Sequence, residues 1–284
     1  MKKRLLTALV GVSIAVGWMF TIYTPAYAII MALVAGVCVF EMLKVFGVKN
    51  VPFFVLCELT AVCVVLYADY KTKLNVPIFP VITGLTLLSL IFMVLDHKRL
   101  RFEQVVCSLF CALLIPAALS AVVLFRDVYV TWPALFGQSD GVFFVLFAFF
   151  CAWWTDGFAL FAGKALGKHK LAPQISPNKT VEGAVGGVIG NALMCVLLWY
   201  VFKTKFNLSA HINIVWVIVS AIALSVISMF GDLAASTIKR HSGVKDFGNI
   251  LPGHGGAMDR FDSSVFVFAA LYAEIAVTAA VLGD

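Results

Sequence analysis

The feature that most constrains the fold of this chain is a series of nine long apolar segments. Their approximate bounds are 5–23, 28–43, 51–68, 77–95, 105–125, 142–163, 182–202, 212–231 and 263–282. Most come close to the roughly 20 residues that a helix needs to cross a bilayer. Hydrophobic residues make up 62% of the chain and charged residues only 13%, unlike an ordinary soluble domain. Unpaired backbone groups are too costly in hydrocarbon, and no segment alternates like a barrel strand. The sequence therefore predicts an all-α, polytopic membrane bundle of about nine transmembrane helices.

The first apolar segment resembles a signal peptide, because residues 2–4 are basic and an Ala-Tyr-Ala sequence follows at 26–28. Its apolar stretch, 5–23, is longer than the roughly 7–15 residues of a signal peptide. We therefore expect it to be retained as the first transmembrane helix.

The distribution of basic residues predicts the orientation. With the N-terminus inside, 16 of the 21 Lys and Arg residues fall in inner segments. The five in outer loops are Lys71, Lys73, Arg126, Lys203 and Lys205. The positive-inside rule favours an N-in, C-out topology, with residues 230–262 on the cytoplasmic side of a bacterial inner membrane. The net charge of +6 is then a topology signal and indicates no nucleic-acid partner.

No internal repeat divides the chain, which we interpret as a single transmembrane domain over residues 1–284. Residues 1–140 are predicted to be scaffold helices, and residues 141–284 the catalytic helices and cytoplasmic loops. Three carboxyl groups, Glu41, Glu58 and Glu274, lie within apolar spans. Each is expected to be protonated or hydrogen-bonded to a neighbouring helix. A carboxyl group in a span is costly enough to leave a functional role open.

The most polar long stretch runs from Phe230 to Asp262, between two apolar spans. If the eighth helix continues through Arg240, Ser236 lies about 40° from Asp232 around its axis and Lys239 about 20° to the other side. One face then presents a carboxylate, a hydroxyl and cations, which suits a metal–phosphate complex. The two cations alone could equally be topology signals, but that explanation leaves Asp232 unaccounted for.

The stretch continues into a loop with five glycines, at positions 243, 248, 253, 255 and 256. Such a loop can approach a phosphate closely and offer it backbone N–H groups. Lys245, Asp246 and His254 lie in the same loop. Because Mg²⁺ prefers oxygen ligands, His254 is assigned either a phosphate contact or a structural role in the loop.

Asp259 and Asp262 lie one turn apart at the start of the ninth helix and can share a face. Carboxylates from two helices, Asp232 and Asp259, could hold two cations spaced for displacement at phosphorus. Asp262 is also open to interpretation as a carboxylate that stabilises a helix start.

Upstream, Asp156 lies deep in the sixth apolar span. The polar loop 164–180 ends at Thr180, which is predicted to cap the seventh helix, with Glu182 in its first turn. Glycines at 183, 186, 187 and 190 then form a smooth face for close helix packing.

These residues resemble the signature of a known family. The patterns S-x-I-K-R-x4-K-D-x-G-x2-L-P-x-H-G-G-x2-D-R-F-D at 236–262 and I-S-P-x-K-T-x-E-G at 175–183 are similar to phosphatidate cytidylyltransferases, the CDP-diacylglycerol synthases. The C-terminal half carries the resemblance, and the N-terminal half shares only its string of helices. Ala257, Asn178 and Val181 depart from the usual pattern, which bears on fine substrate contacts and leaves the class intact.

The resemblance implies that CTP and phosphatidic acid react to give CDP-diacylglycerol and pyrophosphate in phospholipid synthesis, with Mg²⁺. The two carboxylates from two helices leave room for a second cation in a two-ion site. The resemblance also implies a helical bundle that forms a homodimer. The implied catalytic set is Asp232, Asp259, Lys239, Arg240, Lys245 and Asp246, with Asp232, Asp259 and Asp262 as metal ligands. The implied substrate-binding residues are Ser236, Arg260, His254, Asp156, Ser176, Lys179, Gly255 and Gly256.

Three alternatives fit the sequence less well. A CDP-alcohol phosphatidyltransferase starts with D-G-x2-A-R, but Leu160 and Phe161 stand at the A-R positions after Asp156-Gly157. A CTP-dependent polyprenol or lipid kinase does not account for the pattern at 239–262. An anion or lipid transporter could use Asp156 and Asp232 as an intramembrane acidic site, but the two halves of this chain do not resemble each other.

Overall fold

The computed structural model describes residues 11, 13–70, 77–250, 253 and 255–283. This part of the chain contains eight long helices. It also contains one short helix, α5 (Val128–Thr131), and a hairpin of two strands, β1 (Lys170–Ala172) and β2 (Ser176–Thr180). The long helices are α1 (Pro25–Val45), α2 (Val51–Tyr70), α3 (Ile78–Leu95), α4 (Phe102–Arg126), α6 (Gln138–Leu166), α7 (Val181–Lys205), α8 (Ile214–His241) and α9 (Met258–Leu282). Each of these eight is long and apolar enough to cross a bilayer, which confirms the predicted all-α, polytopic membrane class.

The eight long helices coincide with eight of the nine predicted spans. Of the remaining predicted span, 5–23, residues 5–10 and 12 lie outside the described residues and residues 13–19 are helical, so the number of nine stays a prediction. Helix α8 has 28 residues and is about 42 Å long, whereas the hydrocarbon layer is about 30 Å thick. Its last turns therefore extend beyond the apolar span, and the expectation that the helix continues through Arg240 is confirmed.

The polar segment between α6 and α7, predicted as a loop, folds in part as an antiparallel hairpin. Lys170 pairs with Thr180, and the backbone N–H of Val181 donates to the carbonyl oxygen of His169 over 2.9 Å. Thr180 Oγ1 accepts from the backbone N–H of Gly183 (3.1 Å), which confirms the predicted N-cap of α7. The strands are too short for the alternation by which a strand is recognised in a sequence.

Helix α6 contains one π-helical turn, Phe150–Trp154, between the α-helical segments Gln138–Phe149 and Thr155–Leu166. Such turns are frequent at functional sites, where the extra residue shifts the register of the side chains that follow. Asp156 lies in the first turn of the second α-helical segment. The turn therefore helps to set the direction in which this carboxylate projects.

The chain forms two compact units, and the first comprises Met1–Val123 with Ser242–Arg260. Within it, α1 and α2 pack together around fully buried side chains that include Tyr27 and Phe53. Tyr27 also stacks on Trp18, with the ring centroids 4.4 Å apart. Segment 242–260, predicted to be catalytic, thus belongs to the same unit as the helices predicted to be scaffold.

The second unit comprises Leu124–His241 with Phe261–Asp284. Its core is aromatic: Phe144 and Phe147 of α6 are fully buried and pack against Trp216 of α8, with ring centroids 5.9 and 5.6 Å away. Helices α6, α7 and α8 all contact one another in this unit.

The predicted glycine face of α7 packs against the second half of α6. A Cβ at Gly187 would lie 2.8 Å from the carbonyl oxygen of Thr155, and a Cβ at Gly183 would lie 2.8 Å from that of Ala159. Both atoms belong to the backbone and cannot move aside as a flexible side chain would. The close approach of the two helices therefore requires glycine, and the predicted packing is confirmed.

A buried set of hydrogen bonds ties α6, α7 and α8 together beside this face. Ser225 Oγ lies 3.1 Å from Thr155 Oγ1, and Asn191 Nδ2 donates to it over 3.0 Å. All three side chains are fully buried, so these bonds form in a surrounding of low dielectric constant, which strengthens them. They fix α6 one residue before Asp156.

Candidate active site

The C-terminal end of α8 presents several of the predicted site residues. Ser236 Oγ lies 3.5 Å from Asp232 Oδ1, at the limit of a hydrogen bond, so the two side chains share one face of the helix. Lys239, Arg240 and His241 form the last turn, where cations interact favourably with the helix dipole. This end of α8 therefore combines a carboxylate, a hydroxyl and two fixed positive charges.

The hairpin brings Lys179 to Asp232. The Lys179 Nζ atom lies 2.5 Å from Asp232 Oδ2, and the two side chains are 23% and 25% exposed. Lys179 is held by strand β2, and the residue after it, Thr180, caps α7. A residue of the 175–183 pattern thus forms a direct ion pair with a carboxylate of the polar stretch 230–262.

Two carboxylates from different helices lie beside Ser263. Its Oγ lies 3.3 Å from Asp156 Oδ2 and 3.3 Å from Asp262 Oδ1, and its backbone N–H donates to Asp262 Oδ1 (2.7 Å). Asp262 also interacts electrostatically with Asp232 and Lys239. Asp156, Asp232 and Asp262, from α6, α8 and α9, therefore form an acidic cluster.

The sequence analysis missed two residues beside the acidic cluster, Gly231 and Ser263. A Cβ at Gly231 would lie 3.0 Å from Ser263 Cα and 3.2 Å from the carbonyl oxygen of Asp262. Glycine therefore lets α8 lie directly against the first turns of α9. In the sequence only their neighbours could have indicated them, because Gly231 precedes Asp232 and Ser263 follows Asp262.

The glycine-rich loop is organised around Asp259. Its Oδ2 atom accepts hydrogen bonds from the backbone N–H groups of Phe247 and Gly256, each over 2.9 Å. Gly255 has a φ of +81°, in the left-handed region that favours glycine, and it precedes the amide that reaches Asp259. The structure thus gives Asp259 a contact that holds the loop together, while its role as a metal ligand stays a prediction.

Glu41 of α1 is a further residue of this loop that the sequence analysis did not assign to the site. Its carboxylate accepts hydrogen bonds from the backbone N–H groups of Ala257 and Met258. The expectation that Glu41 is hydrogen-bonded to a neighbouring helix is confirmed, since these amides begin α9. Nothing in the sequence pairs Glu41 with residues so far along the chain.

The other predicted site residues differ in exposure. Exposed side chains can meet a ligand from solution, and four of them carry charge: Arg240, Lys245, Asp246 and Arg260. Half-buried are Ser176, Lys179, Ser236, Lys239 and Gly255, and Gly256 is buried. His254 lies outside the described residues.

The acidic cluster offers only oxygen donors, the type that Mg²⁺ prefers. Among the described residues, no group of three or more His, Cys, Asp or Glu side chains has an arrangement that could hold a metal by itself. Mg²⁺ is usually bound by one or two carboxylates together with substrate phosphates, so a site of this kind needs no such group. Asp232 fits this type of site, being partly exposed and adjacent to cations that can hold phosphate.

Residues 2–278, nearly the whole chain, match the sequence profile of the cytidylyltransferase family. The chain belongs to this family. The resemblance predicted from the patterns at 175–183 and 236–262 is thereby confirmed.

This family member is similar to bacterial enzymes along its length. Phosphatidate cytidylyltransferase from Bacillus subtilis (strain 168) is 34% identical over 284 residues, or 96% of each chain. The proteins of that name from Staphylococcus haemolyticus (strain JCSC1435) and Staphylococcus aureus (strain COL) are 48% identical over 134 residues and 44% over 135. Each of these two matches covers 47% of this chain and 49% of the relative. Eight apolar helices together with these relatives identify an integral membrane protein.

Proposed function

We propose that this protein converts CTP and phosphatidic acid into CDP-diacylglycerol and pyrophosphate, as a step of phospholipid synthesis. The observation that carries the proposal is the pairing of Lys179 with Asp232 inside an acidic cluster at the polar end of α8. Carboxylates that can hold a metal ion lie next to cations that can hold phosphate, as binding of a metal–phosphate complex requires. Membership of the cytidylyltransferase family supports a reaction on CTP. The apolar helices would place the protein in the membrane, where a lipid substrate is available.

In the proposed reaction, a phosphate oxygen of phosphatidic acid attacks the α-phosphorus of CTP. A new P–O bond forms, the bond from the α-phosphorus to the oxygen that bridges to the β-phosphorus breaks, and pyrophosphate leaves with that electron pair. A phosphate monoester has a second pKa of about 6 and is already largely ionised at neutral pH, so no general base is required. The main task of the protein is to bring two anions together and to stabilise the charge that develops on the leaving group.

Positively charged side chains carry out this task. Lys179 would hold the phosphate of the lipid, since its ammonium group pairs with Asp232 of the acidic cluster and its side chain is partly exposed. The remaining phosphate-binding residues of the proposal lie at the end of α8, in the loop and at the start of α9: Lys239, Arg240, Lys245 and Arg260. Ser236 orients a substrate oxygen beside Asp232, while Asp156 and Ser176 line the site.

The proposed cofactor is Mg²⁺, with a second cation in a two-ion site. Asp232 and Asp259 would hold the ions, with Asp262 as a further ligand. When bound, such ions supply charge neutralisation on the nucleotide phosphates and on the leaving pyrophosphate. The oxygen-only donor set of the acidic cluster supports the assignment of Asp232 and Asp262.

The proposed setting is a bacterial inner membrane, with the N-terminus inside, the C-terminus outside and the site facing the cytoplasm. The excess of Lys and Arg in the predicted inner segments supports this orientation, which would place the site where CTP and Mg²⁺ are available. The protein is further proposed to act as a homodimer.

The first prediction tests the metal ligands. Asp232→Asn and Asp259→Asn each remove a negative charge with little change in shape, and each should lower CTP-dependent CDP-diacylglycerol formation by about 100-fold or more. The measurement is incorporation of labelled cytidine nucleotide into lipid extract, using membranes that contain equal amounts of protein. Glu103→Gln is the matched control, because Glu103 is 72% exposed and its ion-pair partner, Arg101, is exposed as well. Near-normal rates in both Asn variants would refute the metal assignment, and no incorporation by the unaltered protein would refute the reaction.

A further inference from the structure

Glu41 is a buried carboxylate whose two oxygen atoms both accept backbone hydrogen bonds. Oε1 accepts from the N–H of Ala257 (3.1 Å) and Oε2 from that of Met258 (2.9 Å), and the residue is 2% exposed. These amides begin α9, and the first N–H groups of a helix have no acceptor within the helix. Glu41 supplies the missing acceptors, and its negative charge interacts favourably with the positive end of the helix dipole.

The glycine-rich loop is built closely around this carboxyl group. A Cβ at Gly248 or at Gly256 would overlap the carboxyl atoms of Glu41. Neither glycine has a positive φ, so backbone conformation does not require glycine at these two positions. The close approach of the loop backbone to Glu41 therefore accounts for two of its five glycines.

Glu41 and Asp259 accept hydrogen bonds from consecutive backbone N–H groups of one short segment, residues 256–258. The amide of Gly256 donates to Asp259 Oδ2, while the next two amides, those of Ala257 and Met258, donate to Glu41. Asp259 follows directly, in the first turn of α9. A change in the position of these three amides must therefore also move the Asp259 carboxylate.

We infer that Glu41 is a positioning residue for the reaction, which holds Asp259 and the loop amides in the arrangement that binds metal and phosphate. The inference rests on the proposed function, in which Asp259 is a metal ligand. Glu41 acts through the backbone of residues 256–258. Burial of a carboxylate in a membrane span costs free energy. The role of Glu41 in organising the site accounts for its presence there.

The geometry requires a carboxylate with the length of glutamate. Glutamine has one carbonyl oxygen and one NH₂ group, so one of the two backbone N–H groups would face a donor instead of an acceptor. An unsatisfied buried N–H is unfavourable, so the segment would move towards another acceptor. Aspartate is one methylene shorter and reaches the two amides only if α1 or the loop shifts.

The second prediction tests this role with Glu41→Gln. The Mg²⁺ concentration that gives half the maximal rate of CDP-diacylglycerol formation should rise by about 10- to 100-fold, as for other residues that orient metal ligands. The KM for phosphatidic acid should change by less than about 2-fold, because Glu41 acts on the Asp259 side of the site. Amide hydrogen exchange of residues 255–259 should become faster. The matched control is Glu58→Gln, which alters another carboxyl group of an apolar span, in α2, and should change none of these quantities.

Two results would overturn the inference. One is a Glu41→Gln protein with unchanged Mg²⁺ dependence and unchanged exchange at 255–259. The other is a protein that loses activity equally at all Mg²⁺ concentrations while its melting temperature falls, because Glu41 would then act only in folding.

Gly248→Ala offers a second route to the same answer if Glu41→Gln does not fold. Its Cβ would displace the Glu41 carboxyl group, so it should raise the Mg²⁺ requirement in the same direction. Where Glu41→Ala folds, the same change in that background should add less than about a 2-fold effect, because the group it displaces is gone. Independent, multiplicative effects of the two changes would contradict the inference.

The outcomes separate this inference from the proposed function. If Asp259→Asn keeps full activity, the metal assignment fails, whereas faster amide exchange in Glu41→Gln would still show that Glu41 holds the loop. If Asp232→Asn and Asp259→Asn are inactive while Glu41→Gln matches the unaltered protein, only the positioning role fails.

Discussion

The contact between Lys179 and Asp232 joins two of the predicted site residues in one ion pair. About a quarter of each side chain is exposed, while the Lys179 Nζ atom itself is buried. Each partner was predicted as a site residue, but from separate sequence patterns. No spacing rule relates a strand residue to a helix residue so far along the chain, so their contact could not be predicted.

The third prediction follows from this pair. Lys179→Met should lower kcat/KM for phosphatidic acid by about 10-fold or more, because the lipid phosphate loses a cation and Asp232 loses its partner. The melting temperature in detergent should be measured beside activity, because removal of a buried ammonium group leaves Asp232 without its partner and also lowers stability. Lys170→Met is the matched control, since Lys170 is an exposed lysine in the other strand of the hairpin. Equal effects of the two substitutions would argue against a specific role for Lys179.

At the scale of elements, α7 shows what glycine spacing predicts correctly. The glycines at 183, 186, 187 and 190 indicated a helix face that packs closely, and the structure places that face against α6. The identity of the partner helix did not follow from the pattern, because any helix with a complementary surface could fill it. The hairpin before α7 was not predicted either, and it is the element that positions Lys179.

The fourth prediction concerns this packing. Gly187→Ala places a Cβ against the backbone carbonyl of Thr155, and overpacking of this kind costs about 1–3 kcal/mol. We expect a lower melting temperature in detergent and reduced activity, since Thr155 adjoins Asp156. Gly84→Ala in α3 is the matched control, because a Cβ there meets nothing within 4 Å and alanine favours the helix. A normal melting temperature for Gly187→Ala would contradict the close packing of α6 and α7.

At the scale of the whole molecule, the apolar segments predicted eight described helices to within about five residues at each end, except that α8 continues ten residues beyond its apolar segment. The two compact units were not predicted. Segment 242–260 belongs with the N-terminal helices, whereas the sequence placed it with the catalytic half. The reason is that local sequence patterns indicate the secondary structure of a segment, whereas long-range packing decides which other segments it contacts.

The fifth prediction tests the proposed orientation. A fluorescent protein that matures only in the cytoplasm should stay dark when fused after the C-terminus, and alkaline phosphatase fused there should be active. Fusions after residue 101, between α3 and α4, should give the opposite result, because that loop is predicted to lie inside. A bright fluorescent fusion at the C-terminus would exclude the N-in, C-out topology.

The sequence by itself determined the membrane class, the long helices, the helical face of Asp232 and the cap at Thr180. These features depend on local periodicity and on residue chemistry within one or two turns. The tertiary structure alone decided that Lys179 meets Asp232, that Ser263 joins Asp156 to Asp262, and that Glu41 holds the start of α9. Such contacts join residues far apart in the chain, and their free energy exists only once the helices have packed.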